Sequence, residues 1–104
     1  MKVTARVERD RRHLTRLSTD ASRTATEGRL ALLRSKTLLE MRTRDITISV
    51  GDDGVEIYDR IKLTYEDRLS NLRAARVWAT KCANEIRHLE AQIDKAIEVA
   101  ERMV

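Results

Sequence analysis

YEDRLSNLRAARVWATKCANEIRHLEAQIDKAIEVAERM, residues 65–103, decides the fold, because its apolar side chains recur in steps of three and four. This spacing is typical of a coiled-coil seam, with one irregular step between Leu72 and Ala75. The stripe consists of Leu69, Leu72, Ala75, Ala79, Cys82, Ile86, Leu89, Ile93, Ala96, Ala100 and Met103. The sequence therefore predicts a helix over residues 65–103 that packs along a partner helix.

A weaker stripe of the same kind runs through the first part of the chain and includes charged Asp10 and polar Ser35. Its other members are Val3, Val7, Leu14, Leu17, Ala21, Ala25, Gly28, Leu32 and Leu39. The chain has no proline, so nothing interrupts a helix from about residue 3 to 42, which we interpret as the partner helix. Gly28 costs about 1 kcal/mol inside a helix, and close packing there is favoured over a tolerated weak point.

Between the two helices, residues 45–63 alternate between apolar and polar side chains, as a β-hairpin does. The apolar members of the first part of this run are Ile46, Ile48, Val50, Val55 and Ile57. Residues 51–54, Gly-Asp-Asp-Gly, predict a four-residue loop in which Gly54 takes the left-handed conformation. In that arrangement Val50 pairs with Val55, and Ile48 faces Ile57.

The second strand is predicted to continue through Tyr58 and Ile61 to Leu63, after which Thr64 caps the next helix with Asp67. A two-stranded ribbon alone is marginal in water, so something must cover it. The cover is either its own helices or the hairpins of neighbouring subunits. Because a ribbon at the end of a long helical pair touches little of its own chain, pairing between subunits is favoured.

The expected fold is mainly α with a small β element, in a single domain over residues 1–104. A long antiparallel, coiled-coil-like helical hairpin carries a β-hairpin between its helices, and the protein is oligomeric. This order of elements is similar to that of β-type prefoldin subunits, whose hairpins assemble into a barrel from which coiled-coil arms project. The resemblance implies a layout of that kind, and no activity or functional residue is carried over from it.

The net charge of +4 hides a division between the two parts of the chain. Residues 1–44 carry 12 basic and 5 acidic side chains, which gives +7, whereas residues 45–104 carry 9 and 12, which gives −3. A basic helix lying against an acidic one would explain this division, and so would a basic functional surface.

The candidate for such a surface is a ridge opposite Leu14 on the first helix, formed by Arg9, Arg12, Arg16 and Arg23 and extended by Lys2, Arg6 and Arg11. Arginines in a row neutralise backbone phosphates and give affinity without sequence readout. Aromatic residues for stacking on bases are scarce, so a solvated charged face is favoured over nucleic-acid binding.

No residue constellation predicts catalysis, a cofactor or a metal. Antiparallel helices joined near residues 43–64 pair residues whose numbers add to about 107, which places His88 opposite Thr19 and away from His13. Asp52 and Asp53 suit a turn better than a calcium loop. No phosphate-binding loop, nucleophile elbow or Cys-x-x-Cys pair is present, so we expect no enzyme and no small-molecule substrate.

Compartment and membrane contact follow from the same composition. Cys82 lies on the apolar seam, where a thiol acts as a small hydrophobe, and as the single cysteine it can form no disulfide within the chain. No apolar run approaches the ~18 residues that span a membrane, and the first residues lack the apolar core of a signal peptide. We therefore expect a cytoplasmic protein without membrane contact.

Two further groups of apolar side chains are candidates for an interface. Leu30, Leu33 and Met41 add a second stripe to the first helix, which would then need two partners. Val77 and Trp78 interrupt the polar flank of the second helix. Trp78 either borders and covers the seam, which is the favoured interpretation, or forms an exposed binding anchor with Val77.

These observations predict a small, non-catalytic oligomeric protein that binds, scaffolds or occludes another protein. The expected partners are a second copy of the chain, as a homodimer or higher oligomer, and a different protein. A compact, arginine-rich binder would suit a regulator or inhibitor encoded by a phage or another mobile element. The alternative is nucleic-acid binding through Arg6, Arg9, Arg12, Arg16 and Arg23. The expected interface consists of Leu30, Leu33, Met41, Ile46, Ile48, Val50, Val55, Ile57, Tyr58, Val77 and Trp78.

Overall fold

The computed structural model describes residues 2–104, with side chains from residue 4 onward. Its elements are helix α1 (Lys2–Glu40), strand β1 (Thr43–Val50), strand β2 (Glu56–Lys62) and helix α2 (Tyr65–Arg102). The predicted order of two long helices around a two-stranded antiparallel hairpin is therefore confirmed. The predicted contributions of the Val3 side chain to the stripe and of the Lys2 side chain to the basic ridge lie outside the described residues.

The molecule is elongated, with extents of 72 × 35 × 13 Å. Its radius of gyration is 22.9 Å, whereas a compact domain of this length has about 13 Å. A chain of this shape cannot enclose a thick core. The helix pair therefore buries one narrow seam and leaves most apolar side chains at the surface.

The helix ends follow from local chemistry. At the start of α2, the Thr64 hydroxyl accepts from the backbone N–H of Asp67, and the Asp67 carboxylate accepts from the backbone N–H of Thr64. This capping box confirms the predicted start of α2. Helix α1 ends at Glu40, two residues before the predicted end, where the Arg42 guanidinium donates to the Leu39 carbonyl at 3.1 Å.

The seam between the helices follows a strict seven-residue repeat on both sides. Every described side chain in two adjacent columns of each helix is buried or half-buried. The α1 columns are Val7, Leu14, Ala21, Gly28 and Ser35, and Asp10, Leu17, Thr24, Ala31 and Leu38. The α2 columns are Arg68, Ala75, Cys82, Leu89, Ala96 and Met103, and Asn71, Trp78, Glu85, Gln92 and Val99.

The polar members of the predicted α1 stripe are accounted for by their partners. The buried Ser35 hydroxyl donates to the Ala75 carbonyl of α2 at 2.8 Å. The half-buried Asp10 carboxylate pairs with Arg102 at 3.6 Å. Both residues therefore join the two helices across the seam.

The seam predicted from the sequence was wrong for part of the stripe on each helix. Leu32 and Leu39 are 57% and 48% exposed, and on α2 Ile86 and Ile93 are 48% and 45% exposed. Leu72 and Ala79 are exposed as well. The apolar stripe on each helix is wider than one partner helix can cover. The pair buries the side that carries small and polar residues, which leaves the large aliphatic side chains at the surface.

The helix register also differs from the prediction. Gly28 lies against Glu85, and Asp10 pairs with Arg102, so the numbers of facing residues add to about 112 and not 107. The first turn of α2 lies beyond Glu40, beside the start of β1, where Arg44 and Asp67 form an ion pair at 3.7 Å. At the opposite end, α1 begins about one to two turns beyond the last residue of α2 that faces it.

The β-hairpin has the register implied by the prediction between residues 43–47 and 58–62, where Thr47 pairs with Tyr58, and departs from it nearer the loop. Ser49 pairs with Ile57 and Val50 with Glu56, because a bulge between Thr47 and Ser49 inserts Ile48 as an extra residue. The predicted pairs Val50–Val55 and Ile48–Ile57 are therefore wrong. The loop closes through Gly51 and Val55, whose backbone bond measures 2.8 Å, and Gly54 has the predicted positive φ of 81°.

Candidate functional site

One exposed apolar surface of the helix pair is the aliphatic face, which we define as Leu32, Leu39, Leu72, Ala79, Ile86 and Ile93. These side chains lie beside the buried seam on the same side of both helices. Between them runs an open groove of about 230 Å³, where Ala25 and Leu32 of α1 face Ile86 and Leu89 of α2. The groove is almost entirely apolar, which suits a protein side chain better than a polar ligand.

Sequence reasoning missed the aliphatic face because it assigned these residues to the internal seam. The signal that identifies the face is a second seven-residue column on α2, next to the column that contains Cys82. One partner helix covers two columns, and α1 covers the Cys82 column and the column of Trp78 and Val99, so the Ile86 column has no partner within the helix pair. The aliphatic face is therefore a candidate interface that adds to the predicted one.

The hairpin is the second exposed apolar surface. Every residue from Thr47 to Arg60 is exposed, and Ile46 is half-buried. The predicted interface residues of the ribbon are 52–61% exposed; they are Ile48, Val50, Val55, Ile57 and Tyr58. Among the residues that the structure describes, neither helix packs against the ribbon beyond the junction at Arg42 and Arg44. Its aliphatic side chains are thus available to another molecule.

Polar contacts fix two side chains on the hairpin. The Tyr58 hydroxyl donates to the Glu56 carboxylate on the same strand, and Arg60 pairs with Asp45 of β1 at 3.3 Å. The bond to Glu56, with smaller contributions from partial desolvation and from Asp45, raises the pKa of Tyr58 above its ordinary value. The ribbon therefore carries a restrained aromatic side chain at its surface.

The predicted stripe of Leu30, Leu33 and Met41 is only partly a surface of α1. Leu30 and Leu33 are exposed on the helix, as expected. Met41 follows the end of α1 and is half-buried, with its sulfur accepting from the Asn71 amide at 3.4 Å. The helix ends before Met41 because the chain turns there into β1, so Met41 closes the end of the seam.

Trp78 occupies a seam column and is half-buried, as the favoured interpretation predicts. The Arg34 guanidinium lies 4.5 Å from the centre of its ring, and the Lys81 ammonium lies 5.3 Å away. Leu33, Arg34 and Trp78 line one shallow depression on the surface of the helix pair. Val77, the next residue on α2, is 67% exposed. The alternative, that Trp78 and Val77 form one binding anchor, stays a prediction.

The arginines of the predicted basic ridge are all exposed on α1, as are Arg6 and Arg11. Arg23 lies 3.9 Å from Asp20, and the other three arginines of the ridge form no ion pair with a described residue. Arg6 and Arg9 also lie on the part of α1 that extends beyond α2. The ridge has the exposure that phosphate contacts require.

The two histidines occupy separate surroundings. His88 lines a polar depression with Asp20, Arg23 and Gln92. It therefore does not lie opposite Thr19, as the predicted register implied. His13 lies near Asp10 and Arg16 at the other end of the pair. Within residues 2–104, no group of three or more histidine, cysteine or acidic side chains could hold a metal ion.

Comparison with known proteins gives no relative: no protein-family model, curated protein or solved structure matches this chain. Across the described part of the chain, neither helix contains a stretch long and apolar enough to cross a bilayer. Function is therefore argued from the surfaces described above.

Proposed function

We propose that this chain is a non-catalytic, oligomeric protein-interaction protein that binds, scaffolds or occludes a partner protein. The observation that supports the proposal is the amount of aliphatic surface that the fold leaves open on both the helix pair and the hairpin. Contiguous apolar patches on soluble proteins mark interaction sites. A regulatory or inhibitory role in the cytoplasm belongs to the same proposal.

The two apolar surfaces suit two different tasks. The aliphatic face is straight and follows a coiled-coil repeat, as a helix–helix interface does. The hairpin presents unpaired strand edges together with Ile57 and Tyr58, so it can add to a sheet or bind an extended segment of another protein. We assign self-association to the aliphatic face and partner binding to the hairpin and the adjoining end of α1, which carries Leu30 and Leu33.

Light scattering on a sizing column, at low and moderate salt and with and without a random nucleic-acid duplex, tests the proposal. A discrete oligomer that is insensitive to salt and does not bind the duplex is the expected result, because apolar contacts are not screened. A monomer at every concentration would contradict the oligomeric part.

The partner-binding part is tested with purified hairpin variants and any partner found for the wild type. The substitution Ile57→Asp should abolish binding without changing the oligomeric mass, and Asp59→Asn on the same strand is the matched control. The pair Leu30→Glu and Leu33→Glu tests the end of α1 in the same way. If the hairpin variant and the α1 variant both bind the partner as strongly as the wild type does, the assignment of partner binding to the hairpin and the end of α1 is wrong.

Nucleic-acid binding is the second candidate, and it is favoured by the exposure of the basic ridge and its extension beyond α2. It requires affinity for mixed DNA or RNA that falls steeply with salt. The pair Arg9→Glu and Arg16→Glu should then abolish binding while the helix content stays unchanged. Binding that is absent, or that does not respond to salt, would remove this candidate.

A further inference from the structure

We infer that the aliphatic face is covered by a second copy of this chain, with α2 packed antiparallel against α2 of that copy around a two-fold axis near Ala83. This inference rests on the oligomeric part of the proposed function and specifies its interface.

Two columns run along α2 beside the buried seam, and their members are exposed except for the half-buried Leu69 and Ala100. The first contains Tyr65, Leu72, Ala79, Ile86, Ile93 and Ala100, and the second contains Leu69, Arg76, Ala83, Glu90 and Ile97. Both have seven-residue spacing, which is the spacing of a second coiled-coil seam on the same helix. Of these residues only Arg76 and Glu90 carry a charge. The occupant of this face is therefore expected to be a helix with a matching repeat.

The positions of the two columns are nearly symmetric about Ala83, and an isologous two-fold contact requires such symmetry. In an antiparallel pair centred there, Leu72 meets Ile93 of the second copy, and Ala79 meets Ile86 of the second copy. Leu69 likewise meets Ile97 of the second copy. Every aliphatic side chain of the two columns thus opposes another, and the small residues Ala79 and Ala83 let the helices approach closely near the axis.

The two charges identify the occupant. Arg76 lies seven residues before Ala83 and Glu90 seven residues after it, so each faces the opposite charge on an antiparallel second copy. Along one helix they are separated by about 21 Å and cannot pair with each other. Neither belongs to any of the four ion pairs formed by the described residues. A parallel copy would instead oppose Arg76 to Arg76 and Glu90 to Glu90.

Helix α1 contributes to the same contact. A two-fold axis at the level of Ala83 brings Leu32 of α1 close to Ala25 of the second copy, so that each large side chain opposes a small one. Arg29, the charged neighbour on α1, is exposed and lines the groove near the level of the axis, and its long side chain can turn outward to solvent. The result is a four-helix bundle in which every neighbouring pair is antiparallel.

The size of the face is sufficient for a stable dimer. From Leu69 to Ile97 the columns extend about 42 Å along the helix. With two helices of about 10 Å each, the contact covers on the order of 800 Å² per copy, which is the area of a standard protein interface. The antiparallel arrangement also places the two hairpins at opposite ends of the dimer, where each is free to bind a partner protein.

Charge reversal tests the pairing of residues 76 and 90. In sedimentation experiments Arg76→Glu alone and Glu90→Arg alone should each weaken the dimer about tenfold or more, because each places two like-charge pairs in the interface. An equimolar mixture of the two variants restores both pairs. The mixture should therefore form a heterodimer within about threefold of the wild-type affinity. Circular dichroism checks that each variant keeps its helix content.

Each result of the mixing experiment decides the inference. Recovery of affinity on mixing supports antiparallel pairing of Arg76 with Glu90 of the second copy. Absence of recovery, in variants that remain helical, overturns it. If the wild type forms a discrete oligomer but mixing the two variants does not restore affinity, only this interface is excluded and the proposed function stands. A monomeric wild type would exclude both the interface and the oligomeric part of the proposed function.

Cross-linking provides a second measurement that does not depend on charge. The substitution Ala83→Cys places a thiol at the two-fold axis, and mild oxidation should give a covalent dimer. Ala91→Cys is the matched control, because Ala91 is an exposed alanine of the same helix outside both columns. Equal cross-linking of the two variants, or none with Ala83→Cys, would contradict an axis at Ala83.

Discussion

At the scale of single residues, Gly28 shows how closely the two helices approach. A Cβ atom at this position would lie 3.5 Å from the Cβ of Glu85, which is an ordinary van der Waals contact. The close packing favoured from the sequence therefore leaves room for one methyl group between Gly28 and Glu85.

The substitution Gly28→Ala should stabilise the protein by about 0.5–1 kcal/mol, because alanine restricts the unfolded chain and prefers the helix. Gly28→Leu should instead destabilise it, since the larger side chain meets Glu85. Urea unfolding followed by circular dichroism at 222 nm measures both changes. The same sign of change for both variants would be inconsistent with this helix spacing.

The hydroxyl of Tyr58 reports on the hairpin surface. Because the bond to the Glu56 carboxylate favours the protonated phenol, deprotonation requires a higher pH, and the pKa is raised. In a Tyr65→Phe background, Glu56→Gln should lower the pKa of Tyr58 towards its ordinary value. Absorbance at 295 nm during an alkaline titration measures this shift. Glu98→Gln on α2 is the control, and an equal shift in both variants would exclude a specific bond.

At the scale of elements, the structure separates what the sequence pattern could predict from what it could not. The helix, hairpin and helix, the capping box at Thr64 and the positive φ of Gly54 all follow from local chemistry and were predicted correctly. The strand register next to the loop was not, because the bulge at Ile48 leaves no signature in the alternation of side chains.

One of the two buried columns of each helix was also beyond the sequence pattern. The predicted stripes contain Ser35 and Cys82, which are buried, but beside them hydrophobicity favoured Leu32 and Ile86, whereas the pair buries Ala31 and Val99. Small residues allow the backbones to approach, and the Ser35 hydroxyl finds a partner across the seam. This choice depends on contacts between helices, which a periodicity within one helix does not contain.

The bond from Ser35 to the Ala75 carbonyl should contribute about 1 kcal/mol to the stability of the helix pair, because both groups are buried. Ser35→Ala should lower the free energy of unfolding by that amount. Ser22→Ala, at an exposed position of the same helix, is the matched control and should leave the stability nearly unchanged or slightly raised. Equal effects of the two substitutions would show that the bond does not join the helices.

At the scale of the whole molecule, a 72 Å rod with one narrow seam leaves aliphatic side chains exposed along its length and at its hairpin. The arrangement resembles half of a four-helix bundle that carries a ribbon at one end. Its outer columns are complementary to themselves, and its hairpin is not covered by the helices. Self-association and partner binding can therefore occur on separate surfaces of one small chain.

Sedimentation equilibrium of the wild type beside Ile86→Glu and Val77→Glu tests this arrangement most directly. Both substitutions place a charge at an exposed aliphatic position of α2, but only Ile86 belongs to the aliphatic face. The wild type and Val77→Glu should have twice the chain mass of 12.0 kDa, and Ile86→Glu should sediment as a single chain. A monomeric wild type, or an Ile86→Glu variant that remains dimeric, would contradict self-association through this face.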